Sequence, residues 1–128
     1  MRMLRSRSDL IYSAARAVAG FLFLAHGVQK LFGALGAEQA VAPLSMPGIA
    51  GLIELVGGTL IMVGLYTPLA AFVCSGEMAA AYFIAHAPQG FWPIVNQGEL
   101  AALYCFVFLY FASRGSGPCS LDRLLGRA

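Results

Sequence analysis

The chain predicts an all-α fold: an integral membrane bundle of four transmembrane helices with both termini cytoplasmic. Three observations lead there. Of the 128 residues, 59% are hydrophobic and 11% charged, and the mean hydropathy is +0.76. Soluble domains run at about 45–50% apolar and 25% charged. The apolar residues gather into four long segments, broken at Pro, Gly and short polar stretches. Most Lys and Arg residues sit outside those segments, at the two chain ends. The formal net charge of +2 comes without a basic stripe interleaved with aromatics, so nucleic acid is not an expected partner.

A helix needs about 20 mostly apolar residues to cross the hydrocarbon. The first span is expected over about 10–32. Its basic start followed by an apolar run has the look of a secretory signal. The apolar stretch continues through His26–Phe32 with no small-x-small cleavage site at the right distance, so an uncleaved span is the better reading. The second span, about 49–65, follows Pro47-Gly48 and stops before Thr67-Pro68. The third, about 68–87, places Pro68 in its first turn, where a missing N–H costs little. The fourth covers about 96–111. All four belong to one expected domain, 1–128, of a size usual for a single unit.

Orientation follows from the flanking cations. Arg2, Arg5, Arg7 and Arg16 lie at the N-terminal end, and Arg114, Arg123 and Arg127 follow the fourth span. Both termini are therefore expected on the cytoplasmic side of a bacterial inner membrane, with Leu65–Pro68 as a tight cytoplasmic connection. Loops 33–48 and 88–95 then face outward, the second carrying Phe91-Trp92-Pro93, which suits an interfacial aromatic belt. His26, Gln29 and Lys30 come late in an outward-going helix. Glu54 comes early in an inward-going one, about 8 Å below its start, and Asn96 and Glu99 open another. All six converge on the outer third of the membrane. Glu77 falls near the middle of its helix, and Arg16 in the inner third could pair with it.

Ionisable groups at bilayer depth cost at least about 2.5–3.5 kcal/mol each and mark function by default. His26, Gln29, Lys30 and Gly33 recur at three and four residues and share a face. Gly51, Glu54 and Gly58 share another, and Ala70, Cys74, Glu77 and Ala81 a third. Small residues mark helix contacts in lipid, so the carboxylates are expected in the bundle interior. The six outer residues are the candidate ligand-binding or proton-relay site, and Arg16 with Glu77 the candidate structural pair. The competing reading makes Lys30 with Glu54 or Glu99 a buried ion pair that only fixes register. His86 reads as an interface residue, and Tyr104–Phe111 as lipid-facing and core filler. Cys74 and Cys105 fall at similar depth and read as packing residues. No CxxC and no metal-ligand spacing occurs, so no metal is expected.

The segments Arg16–Gly33 (R-x3-G-F-L-F-L-x-H-G-x-Q-K-L-F-G), Met46–Gly58 (M-P-G-I-A-G-L-I-E-L-V-G-G), Gly64–Ala71, Glu77–Phe83, Asn96–Ala101 (N-Q-G-E-L-A) and Gly117–Asp122 follow one another in an order that resembles the DoxX family of small bacterial four-helix membrane proteins. The resemblance covers nearly the whole chain. It implies a four-helix fold in the cytoplasmic membrane and a redox-associated role, as a quinone-, thiol- or sulfur-linked subunit of a membrane oxidoreductase. It names no catalytic residue. A quinone is the candidate cofactor, since His26, Glu54 and Glu99 could move protons while Gln29, Lys30 and Asn96 bond a carbonyl. No haem-ligand pair, iron–sulfur cysteine set or nucleotide motif is present, so electrons would come from a partner or from the quinone. Candidate partners are the lipid bilayer, an oxidoreductase polypeptide and further copies of the chain. The alternatives are a proton-coupled small-molecule carrier, favoured by mid-membrane Glu77, and a non-catalytic scaffold or assembly factor.

Overall fold

Every regular element in the computed structural model, which describes residues 1–127, is helical. A short α1 (Arg2–Arg5) precedes α2 (Ser8–Phe32), which ends at Gly33 in the left-handed conformation, φ 62°. The turn of loop 33–45 is pinned where the Gln29 side-chain amide donates to the Leu35 carbonyl at 2.7 Å and the Val41 N–H to that of Lys30 at 2.8 Å.

The helix α3 (Met46–Val63) starts three residues earlier than the hydropathy suggests. Ser45 caps it, accepting from the Gly48 N–H at 3.2 Å, and Pro47 fits the first turn. It stops at Gly64, φ 75°, and Tyr66, also left-handed at φ 49°, leads into α4 (Thr67–Ala81). Beyond Ala81 the same rod changes pitch, into a π-helical turn (Tyr82–His86) and then a 3₁₀ turn (Ala87–Gln89). The expected fourth span is divided. A one-turn α5 (Pro93–Asn96) is cut from α6 (Glu99–Arg114) by Gln97 at φ 60° and by Gly98. Asn96 and Glu99 therefore do not share a helix. After α6 the tail folds back through α7 (Leu121–Leu124).

Among the described residues, three helical stretches are long and apolar enough to cross a membrane: Ser8–Phe32, Met46–Val63 and Thr67–Gln89. With 16 residues, α6 reaches about 24 Å at 1.5 Å per residue. The most intimate contact joins α2 to α3 through glycines seven residues apart on each. A Cβ on Gly20 would lie 2.7 Å from the Gly58 carbonyl oxygen, and one on Gly27 2.7 Å from that of Gly51. Backbones approach this closely only where side chains are absent, which is how helices associate when lipid removes the hydrophobic drive. By contrast, α2 meets α6 through rings: Phe23 packs on Tyr104 and Phe108 with centroids 5.1 and 4.7 Å apart, and Tyr12 on Phe111 at 5.5 Å. α4 lies between α3 and α6, and Ile61, Ala71, Cys74 and Phe108 complete a sealed centre. Phe21, Leu22, Val56, Phe72, Leu103 and Phe106 point outward from the same helices.

The four long helices define two ends. At the loop end α2 and α4 finish while α3 and α6 begin. At the tail end the reverse holds, and the C-terminal segment covers it.

Candidate functional site

At the loop end, α2, α3, α4 and α6 enclose a cavity of about 320 Å³ lined by His26, Lys30, Glu54, His86, Gln97 and Tyr104, among apolar neighbours such as Phe23, Met78, Ala81 and Leu100. Its centre is an ion pair. The Lys30 ammonium donates to Glu54 Oε1 at 2.5 Å. Glu54 is 1% exposed, whereas the Lys30 side chain keeps 34% of its surface. The second carboxylate oxygen, Glu54 Oε2, is buried with no hydrogen-bond partner. A buried acceptor left unmade costs about 1–3 kcal/mol, and more when charged.

The small-residue faces read from the sequence position this pair. Gly51 lies beneath the Lys30 stem, where an added Cβ would come within 3.0 Å of the lysine Cβ, and one turn on, Glu54 takes the same face. His26, one turn below Lys30, sets its ring perpendicular to that of Tyr104 at 6.3 Å. His86 enters from the π turn with Nδ1 3.1 Å from the Asn96 carbonyl oxygen. A carbonyl only accepts, so His86 is the donor in this contact, through Nδ1.

Three of the six outer candidates thus line one cavity: His26, Lys30 and Glu54. The other three are elsewhere. Gln29 turns to the loop and serves Leu35. Asn96 is wholly buried in its own turn: its amide donates to the Gly90 carbonyl at 2.8 Å and to the Tyr82 hydroxyl at 3.3 Å, and its Oδ1 accepts from the Gly98 N–H at 2.8 Å. It organises the loop that carries Gln97. The triplet Asn96-Gln97-Gly98 holds that signal, an Asn bonding the backbone two residues on. Glu99 is exposed in the first turn of α6, where a carboxylate favours the positive end of the helix dipole.

The expected Arg16–Glu77 pair does not form. Arg16 is 1% exposed and spends its guanidinium on carbonyls: Nη1 donates to Ile61 at 2.5 Å and Met62 at 2.9 Å, and Nη2 to Cys119 at 2.5 Å. The first two belong to the last turn of α3, where Ile61 also accepts from the Gly64 N–H at 3.3 Å, and a cation suits that negative end. Glu77 stands ten residues into α4, about 15 Å along the axis from that level. Its buried Oε2 has no partner. Nor do the two membrane-depth thiols meet. Cys74 faces α3, its sulfur 3.9 Å from the Ile53 carbonyl, while Cys105 contacts the Ser75 hydroxyl at 3.5 Å.

Sequence reasoning missed His86, Gln97 and Tyr104. The π turn rotates His86 inward, and π turns, which gather at functional sites, have no sequence signature. Tyr104 was hidden in an aromatic run; its spacing of four and seven from Phe108 and Phe111, all three buried, is the signal that separates it from outward Leu103 and Phe106.

A helical bundle with a polar pocket between its helices is the class this geometry defines. A model of the DoxX family matches residues 11–87, and the chain belongs to that family. An uncharacterised protein of Haemophilus influenzae is 45% identical over 115 residues, 84% of each chain. The inner membrane protein YqjF of Escherichia coli is 27% identical, over 97% of this chain and 98% of its own. CatD of Bacillus subtilis, whose name assigns it provisionally to the oxidoreductases, is 25% identical over 84% and 81%. No solved structure matches the chain. The protein is thus a membrane protein of the DoxX family, and its relatives and apolar helices place it with bacterial inner membrane proteins.

Proposed function

We propose that the chain is a four-helix transmembrane subunit, N-in and C-in, that binds a small hydroxylated ring such as a quinol in the loop-end cavity, in the outer third of the membrane, and so serves a membrane oxidoreductase. The observation that carries this reading is the buried Glu54 carboxylate in the cavity lining, held by Lys30 through one oxygen while the other has no hydrogen-bond partner. An acceptor so placed calls for a donor, and a quinol hydroxyl is one whereas a quinone carbonyl is not. The remaining lining suits the same ligand: the imidazoles of His26 and His86 can exchange protons, Lys30 can donate to a second ring oxygen, and Tyr104 offers a ring edge and a hydroxyl. The provisional oxidoreductase name of CatD points the same way for that relative. Placing α6 across the bilayer, despite its 16 residues, needs a locally thin membrane or help from the loop-end turns.

Titrating the detergent-purified protein with a short-tailed quinol, followed by intrinsic fluorescence of Trp92 and the tyrosines, tests the reading. Saturable binding that is lost in Tyr104→Phe and His26→Asn at unchanged helicity is expected. No saturable binding at millimolar quinol would overturn it.

One observation favours a second reading, a proton-coupled carrier: the unpartnered Oε2 of Glu77 beneath the cavity. Proteoliposomes that acidify with substrate flux, and stop doing so in Glu77→Gln, would replace the first reading with this one.

A further inference from the structure

A larger cavity than the loop-end one lies at the other end of the bundle. At the tail end, about 790 Å³ opens between the start of α2, the α3–α4 turn and the C-terminal segment. Three guanidinium groups line it, from Arg114, Arg123 and Arg127, against two carboxylates, Asp9 and Asp122. Arg114 is engaged: it donates to Asp9 at 2.6 Å and to the Tyr110 hydroxyl at 3.0 Å, and stacks 4.0 Å above the Tyr12 ring. Asp122 accepts from the Ser116 hydroxyl through one oxygen, its other oxygen has no partner, and its single negative charge faces the two remaining guanidiniums. Arg127 lies 4.7 Å over the Tyr66 ring, and Arg123 lines the wall. The pocket therefore keeps a positive excess.

Two of its lining residues, Tyr66 and Leu69, also line a second cavity of about 360 Å³ that runs up the outside of the bundle between α3 and α4. Its walls are apolar throughout, with Leu52, Val56 and Leu60 on one side and Val73 on the other. From Leu60 to Leu52 the groove climbs about 12 Å. A basic pocket joined end to end with an apolar groove on the lipid-facing surface has the form of an anionic amphiphile. A free phosphate would use only the first part, and a neutral lipid only the second.

We propose that this composite site holds one anionic phospholipid, its phosphate against Arg123 and Arg127 and an acyl chain in the α3–α4 groove. The inference is independent of what the loop-end cavity binds. The lipid would tie the C-terminal segment to the α3–α4 hairpin from outside, as Arg16 does from inside.

Native mass spectrometry of the full chain, released from detergent with phosphatidylglycerol or with phosphatidylcholine of the same acyl chains, tests it. One phosphatidylglycerol is expected to remain bound under conditions that strip phosphatidylcholine. Arg123→Gln with Arg127→Gln should weaken retention about thirtyfold, at about fivefold per guanidinium near an anionic headgroup. Val73→Trp should weaken it by filling the groove while leaving every charge in place. Both sets of positions are exposed, so folding is expected to survive, and the lipid comparison on the unaltered chain needs no variant. Equal retention of the two lipids, unchanged retention in either variant, or displacement of phosphatidylglycerol by millimolar inorganic phosphate would each overturn the proposal.

Discussion

Lys30 and Glu54 carry opposite charges into the same apolar level, and the cost of each makes sense only in the presence of the other. Removing one partner of a buried pair leaves an uncompensated charge, at about 3–5 kcal/mol. Lys30→Met is therefore expected to destabilise the bundle by that order in reversible unfolding from mixed micelles, and Lys30→Met with Glu54→Leu to recover most of it; a double variant as unstable as the single would mean that the pair is not the cause. Arg16 makes a different prediction. Its planar fork reaches three carbonyls, which a single ammonium cannot do. Arg16→Lys should cost about 1–3 kcal/mol and make the 115–127 tail more sensitive to protease, whereas Glu77→Gln should leave the tail unaffected. These two residues mark what single positions reveal in a sequence. Lys30 and Glu54 were legible because each shares a helical face with small residues, and lipid leaves such faces only one use. Gln29 and Asn96 were not, because their partners are loop carbonyls whose positions depend on the fold of segments 33–45 and 90–98. Arg16 was legible as buried, but its acceptors are backbone atoms, which no side-chain pattern announces.

At the scale of elements, the helices themselves were read to within a few residues from apolar length, Pro and Gly. The shifts have local causes: a serine cap draws α3 forward to Met46, and left-handed Gln97 delays α6 to Glu99. The pitch change over Tyr82–His86 has no pattern to betray it, and it is what turns His86, expected at the helix end, toward the cavity. The α2–α3 seam depends on glycine at Gly20, Gly27 and Gly58, where any Cβ would collide with backbone of the facing helix. Gly27→Val is expected to abolish accumulation in the membrane, measured by blotting membrane fractions, while Gly76→Ala, at a site open to space, should accumulate normally. The tail element predicts a pH dependence. Burial raises the Asp122 pKa, but the Ser116 hydroxyl, the nearby backbone amides of Tyr66 and Thr67 and the Arg127 charge outweigh it and hold the group below its ordinary value of 3.8. A carboxylate with a depressed folded pKa stabilises fully above the unfolded value and loses that contribution as pH falls through the folded one. The melting temperature should fall as pH drops below about 4, and in Asp122→Asn this component should be absent, with the variant already less stable at neutral pH.

Over the whole molecule the two ends have separate tasks. The tail end is a closure: Arg16 from within, the Arg114–Asp9 pair and the Tyr12 hydroxyl on the Gly115 carbonyl fasten α2, α3, α6 and the C-terminal segment together. The loop end is left open around an ion pair with one oxygen to spare. Family membership fixes the kind of protein, and the proposed chemistry rests on that single oxygen. On the proposed topology, with both termini inside, exposed Cys119 should react with an impermeant maleimide only after the cells are permeabilised, and a cysteine replacing Phe91 should react in intact cells; the opposite pattern would invert the topology. The central claim is that Glu54 accepts a hydroxyl from the ligand, and the most direct measurement is the ratio of quinol to quinone affinity in the unaltered protein and in Glu54→Leu with Lys30→Met. A preference for the quinol of about tenfold or more is expected, the worth of one hydrogen bond to a buried charge, and it should vanish in the double variant while the protein stays folded. Equal affinity for the two forms in the unaltered protein, or a quinol preference that survives the loss of Glu54, would contradict it.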